Sequence, residues 1–120
     1  MEPHEADHQA GLEPATVQRL RALGGDGFVE RLVGLLLENA PQHVAAVTEA
    51  ARRGDPDSAR RAAHTLRSTA GTVGATALLA AAEHVETLAV SAVEPKALAA
   101  AAAALEAEWD SLRRALTPRP

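Results

Sequence analysis

Residues 55–75 read Asp55-Pro56-Asp57-Ser58-Ala59-Arg60-Arg61-Ala62-Ala63-His64-Thr65-Leu66-Arg67-Ser68-Thr69-Ala70-Gly71-Thr72-Val73-Gly74-Ala75. Asp55-Pro56 is a helix start: a side-chain acceptor at the N-cap, then a ring already fixed at a helical φ. Gly74 is the matching stop. At about 100° per residue, Asp57, Arg60, Arg61, Arg67, Ser68 and Gly71 fall within roughly 60° of His64. Ala59, Ala62, Leu66, Ala70 and Val73 fall on the other side. The spacing predicts a helix with an apolar back that packs and a polar front centred on an imidazole.

The same periodicity extends in both directions. Upstream, a short helix is expected after Pro14, using Val17, Leu20 and Leu23 and ended by Gly24-Gly25. Asp26 then caps a long helix carrying Val29, Leu32, Val33, Leu36, Leu37, Ala40, Val44, Val47 and Ala51 up to Gly54. Pro41 lies inside that pattern and should kink or divide it, since proline removes a backbone hydrogen bond and crowds the preceding turn. Downstream, a helix from about Thr76 to Val90 turns Leu78, Ala81, Ala82, Val85, Leu88 and Ala89 inward. Glu94-Pro95 repeats the restart device, and Leu98, Leu105, Trp109, Leu112 and Leu116 form the cleanest stripe in the chain. Four substantial helices with short connections imply an all-α, antiparallel up-down four-helix bundle with a short additional N-terminal helix.

Composition agrees. The chain has 120 residues, 47% of them apolar and only 2% aromatic. So few aromatic residues speak against a β-sandwich and against the stacking platforms of single-stranded nucleic-acid binders. Twelve bases against sixteen acids make a duplex-DNA partner improbable. No cysteine means no disulfide framework, thiolate zinc site or Cys nucleophile. Neither a membrane helix nor a signal peptide is expected, and the location expected is cytoplasmic. Glu2, Glu5, Asp7 and Glu13, all within residues 1–13, supply the whole net charge of −4. Residues 1–11 lack apolar periodicity and read as a flexible acidic tail, 12–116 as the bundle and 117–120 as a C-terminal tail. Eleven of the twelve bases are Arg, a bias that suits a GC-rich bacterium.

A free imidazole titrates near pH 6.5, so at neutral pH it offers a lone pair without needing a separate base. Phosphoryl transfer asks mainly for in-line positioning and charge stabilisation, and arginines attract phosphoryl oxygens. Gly71 adds a second signal. Glycine inside a helix costs about 1 kcal/mol relative to alanine, and on the histidine's face it marks a place where another surface comes close.

The run from Ala62 to Ala75 resembles the signature of histidine-containing phosphotransfer (HPt) domains, roughly A-H-x-L-K-G-x-x-x-x-x-G-A, with His64, Leu66, Gly74 and Ala75 matching. Leu23-Gly24-Gly25-Asp26-Gly27-Phe28 resembles the start of that family's second helix, and Leu36-Leu37-Glu38-Asn39-Ala40-Pro41 its mid-helix segment. The resemblance covers about residues 12 to 116. It implies that His64 takes a phosphoryl group on Nε2 from the aspartate of one response-regulator receiver domain and passes it to another, in a multistep relay fed by a hybrid sensor histidine kinase. The receiver would supply Mg²⁺; the chain would need no cofactor of its own. It would act as a phosphorylated intermediate more than as an independent enzyme. Glu86 matches the position from which family members orient the ring through Nδ1.

Two positions depart from the pattern. The usual Lys is Arg67, a planar fork in place of a point charge, and the usual Gly is Ser68, which adds a β-carbon and a hydroxyl. Ser68 is the best support for an alternative, an HPt-fold adaptor that binds a receiver without transfer. A plain helical bundle with an incidental His64 is a third reading. His4 and His8, four apart between acids, could hold zinc on a helix but read as part of a polar tail. His43 and His84 read as structural, and Trp109 as core. The ATP-binding signatures of Gly-rich loops are missing from the sequence. A monomer is expected, with a receiver docking over the His64 helix and touching apolar groups around Phe28, Val29 and Leu32.

Overall fold

The computed structural model describes residues 11–91 and 94–117. The acidic segment 1–10, with His4 and His8, and residues 118–120 of the C-terminal tail lie outside the described residues. Four helices make up the fold: α1 Pro14–Arg53, α2 Pro56–Val73, α3 Thr76–Val90 and α4 Pro95–Leu116. Each helix packs on its sequence neighbours and α4 returns to α1, which closes a ring around one core.

The expected short helix and its long successor form a single kinked helix. A straight helix of 40 residues would be about 60 Å long, yet the longest dimension of the molecule is 47 Å. The break sits at Gly25, with φ 81° and ψ −178°, a conformation open to glycine almost alone. Gly24-Gly25 was expected to end a helix; instead it bends one, because a single non-helical residue is followed directly by further helix. Asp26, expected as an N-cap, pairs with Arg21 across the break at 2.5 Å. Gly24 serves differently: a β-carbon there would lie 2.6 Å from that of Phe28, whose ring folds over it. Pro41 does not divide α1, because helical dihedrals continue on both sides of it.

The start of α2 and the ends of α1 and α2 follow their sequence signals, whereas Glu94 precedes Pro95 at the start of α4 without a side-chain cap. Asp55 caps α2, accepting from the Ser58 amide at 3.1 Å and from the Ser58 hydroxyl at 2.7 Å. α1 and α2 both finish in left-handed glycines, Gly54 and Gly74. The next residues, Asp55 and Ala75, donate back to Ala50 and Ala70, which completes a Schellman motif at each end. The Glu13 amide donates to the Gly74 carbonyl at 2.7 Å, tying the start of α1 to the α2–α3 turn.

The core is small-residue helix packing. On α2 the buried stripe is Ala59, Ala63, Leu66, Ala70 and Val73. Ala63 is buried, whereas Ala62 is only half-buried, because α2 packs against both α1 and α3 and its buried arc is correspondingly wide. All five expected residues of the α4 stripe are buried, Trp109 among them. Leu23 departs from expectation: it is 79% exposed. Three-residue steps drift about 60° each around a helix, so Leu23 stands about 120° from buried Val17.

Candidate functional site

The buried alanines of α2 turn its opposite face outward, and that decides where His64 stands. Its neighbour Ala63 is fully buried, while the His64 side chain is 57% exposed. The ring therefore projects from the bundle beside α3, which packs directly on α2.

Two side chains reach Nδ1. Glu86 of α3 places Oε2 3.1 Å away. Arg67, one turn along α2, places Nη2 3.2 Å away. They also hold each other: Arg67 Nε lies 2.8 Å from Glu86 Oε1, close enough for an ion pair but not aligned as a hydrogen bond, so this buried oxygen has no hydrogen-bond donor. Glu83, one turn back on α3, stands 3.9 Å from Arg67 Nη1. The Glu86 side chain is 19% exposed, which gives its contacts more weight than those of the exposed pairs nearby.

Arg60 and Arg61 were expected around the ring, but both turn toward Asp57, at 3.1 and 3.3 Å. Among the described residues, Arg67 is the guanidinium that touches the imidazole. Ser68 and Gly71 follow His64 at steps of four and three and are exposed on the same face. A β-carbon added at Gly71 would meet nothing within 4 Å, so packing inside this chain does not require the glycine. The expected docking residues divide. Val29 is buried, Phe28 and Leu32 are half-buried, and the exposed apolar group on this side is Leu23. Leu20, Ala22 and Leu23 of α1 line an open apolar groove whose other wall is Gly71 and Thr72. Of the other histidines, His43 is half-buried and His84 exposed.

The sequence reading missed three parts of this face: the groove, the role of Glu83 and the contact of Arg67 with Nδ1. Glu83 could have been found, since it lies three residues before Glu86 and so on the same side of α3. No group of three or more metal-ligating side chains occurs among the described residues. No helix among them is long and apolar enough to cross a membrane.

What the site can do follows from its donors and acceptors. A ring that donates from Nδ1–H to Glu86 leaves its Nε2 lone pair directed outward, free to attack an electrophile. No curated protein and no solved structure matches the chain. The family model of the Hpt domain matches residues 31–115, more than half of the sequence and every element of the His64 face except the first stretch of α1. The chain belongs to the Hpt domain family, whose members serve phosphotransfer in two-component phosphorelays.

Proposed function

We propose that His64 is the phosphoacceptor and that the chain relays a phosphoryl group between receiver-domain aspartates in a multistep relay. The observation that carries this reading is the exposed imidazole with a carboxylate at Nδ1; His64 also lies in the run that resembles the family motif, within the stretch that the family model matches. In the forward step the Nε2 lone pair attacks the phosphorus of a receiver's aspartyl phosphate in line. The Nε2–P bond forms, the acyl O–P bond breaks, and the receiver recovers its carboxylate. The ring keeps its Nδ1–H and so becomes cationic as the bond forms. Glu86 Oε2 faces that developing charge from a fixed position, which lowers the barrier. Arg67 is placed to meet the phosphoryl oxygens as a planar donor. The reverse step delivers the group to a second aspartate.

The Mg²⁺ of the reaction belongs to the receiver, and a hybrid sensor kinase is the proposed source of phosphate. We place the chain in the bacterial cytoplasm as a monomer, with its helices running up and down around the core. The docking receiver covers His64, Ser68 and Gly71 and seats apolar side chains in the groove beside Leu20 and Leu23. Burying an exposed leucine contributes about 1.5–3 kcal/mol, enough to orient a transient partner.

The test is transfer itself. The chain is mixed with a receiver carrying labelled aspartyl phosphate. Label that is acid-labile and base-stable should appear on the wild type and be lost in His64→Gln. A His64→Gln variant that labels as well as wild type contradicts the assignment. Receiver binding with no label on either protein supports the adaptor reading instead.

A further inference from the structure

Nδ1 of His64 has one bonding position and two opposed claimants. Glu86 Oε2, at 3.1 Å, can only accept. Arg67 Nη2, at 3.2 Å, can only donate. If Nδ1 carries the proton, it bonds to Glu86 and sets an N–H against the Arg67 N–H. If Nδ1 carries the lone pair, it accepts from Arg67 and turns that lone pair toward a carboxylate oxygen. In either state one contact is satisfied and the other opposed. The two states differ at the far nitrogen: the first leaves Nε2 with a free lone pair, the second puts a proton there.

We propose that Arg67 is a positioning residue that opposes Glu86 at Nδ1. It holds part of the resting population of His64 in the unreactive tautomer and releases the ring when a phosphoryl group arrives. The fork is poised for this. Nε forms an ion pair with Glu86 Oε1 at 2.8 Å, which draws one corner of the guanidinium toward α3, while among the described residues the contact of Nη2 is the ring nitrogen. Nη1 stands 3.9 Å from Glu83, too far for a direct hydrogen bond. A dianionic phosphoryl group at Nε2 offers the cationic Nη2 an ionised acceptor in place of the neutral ring nitrogen. As Nη2 leaves, the Nε2 proton passes to water and Nδ1 takes one from water. The ring stays neutral, bonds to Glu86 and exposes its Nε2 lone pair. The nucleophile is thus completed by the arrival of its substrate. A Lys in the usual family position would have a single nitrogen, which could not be anchored on Glu86 and contact Nδ1 from separate atoms as Arg67 does.

This inference takes its functional meaning from the phosphotransfer reading, but the tautomer it concerns is measurable without transfer. The experiment is ¹⁵N NMR of the ring-labelled full chain at about pH 8.5, two units above the titration of free imidazole. Wild type should show both ring nitrogens at intermediate, exchange-averaged shifts. Arg67→Ala should move Nδ1 to the protonated position and Nε2 to the unprotonated one. Glu86→Ala should move them the opposite way, and unchanged backbone amide spectra would show that both variants are folded. Adding a receiver loaded with beryllofluoride, a phosphoryl mimic, should shift wild type in the direction of Arg67→Ala. Ring shifts unmoved by Arg67→Ala overturn the opposition. A wild-type mixture that persists in the receiver complex overturns the release. Loss of transfer with the tautomer shifts intact would count against the phosphotransfer reading alone.

Discussion

His64 is reactive in this account because of what its neighbours do. Ala63 is buried, so the next side chain points out, and Glu86 lies at Nδ1, so the tautomer that donates to it leaves Nε2 as the free end. Two glycines test the site and its support separately. Gly71 is exposed, and an added β-carbon meets nothing within 4 Å among the described residues. Gly71→Ala should therefore raise stability by up to about 1 kcal/mol in urea unfolding. The same substitution should slow transfer from a receiver on the order of tenfold, equivalent to about 1.4 kcal/mol of lost docking. A stabilised variant with unchanged transfer would remove Gly71 from the interface. Gly74 is the opposite case. Its φ is +75°, and a β-carbon would stand 2.8 Å from that of Thr16. Gly74→Ala should cost about 1–2 kcal/mol in the same measurement from left-handed strain, and more from the collision. At this scale the sequence was a good guide to which residues share a face and a poor one to their contacts. His64, Arg67, Ser68 and Gly71 share a face because helical spacing requires it. That Arg60 and Arg61 would turn to Asp57 while Arg67 turned to the ring depends on α3, which supplies two carboxylates to Arg67.

The His64 helix starts and stops where capping chemistry says it should, and this keeps its exposed face in register. Asp55 is the clearest instance. The Ser58 hydroxyl, then the Ser58 amide, hold its carboxyl below the ordinary carboxylate range. A carboxyl lowered in the folded state stabilises the fold at pH above its unfolded value and loses that contribution as pH falls toward its folded value. Asp55→Ala should therefore lower the thermal midpoint at neutral pH, and the difference from wild type should shrink on acidification through the carboxylate range. A difference that grows on acidification would contradict the capping role. Other boundaries were less legible. Gly24-Gly25 signalled a stop, but the chain resumes its helix after one non-helical residue, so the two expected helices form one kinked element. Pro41 signalled a break, yet α1 continues through it with buried Ala40 and Val44 packed in the core on either side. Tertiary packing outweighs the one backbone bond that proline removes.

At the scale of the molecule, four helices in a ring turn a face of α2 and α3 to solvent while the opposite stripes share one core. That core is built from alanines around a few large residues, with Leu36, Leu66, Leu78 and Leu105 fully buried. Leu105→Ala, far along the chain from His64, should cost about 2–5 kcal/mol in unfolding. The fraction of folded protein should fall while the transfer rate per folded molecule stays the same. The heptad-like stripes made this architecture readable before any coordinates, since spacing fixes which residues can face a core. The three-residue steps from Val17 through half-buried Leu20 already carry Leu23 out of the core stripe, but spacing could not show that it lines a groove beside Gly71. The central claim concerns one bond, and ³¹P–¹⁵N correlation NMR of the phosphorylated, ring-labelled chain reads it directly. The account predicts phosphorus coupled to Nε2 of His64, with Nδ1 protonated. Coupling to Nδ1, or to a ring of His43 or His84, would contradict it.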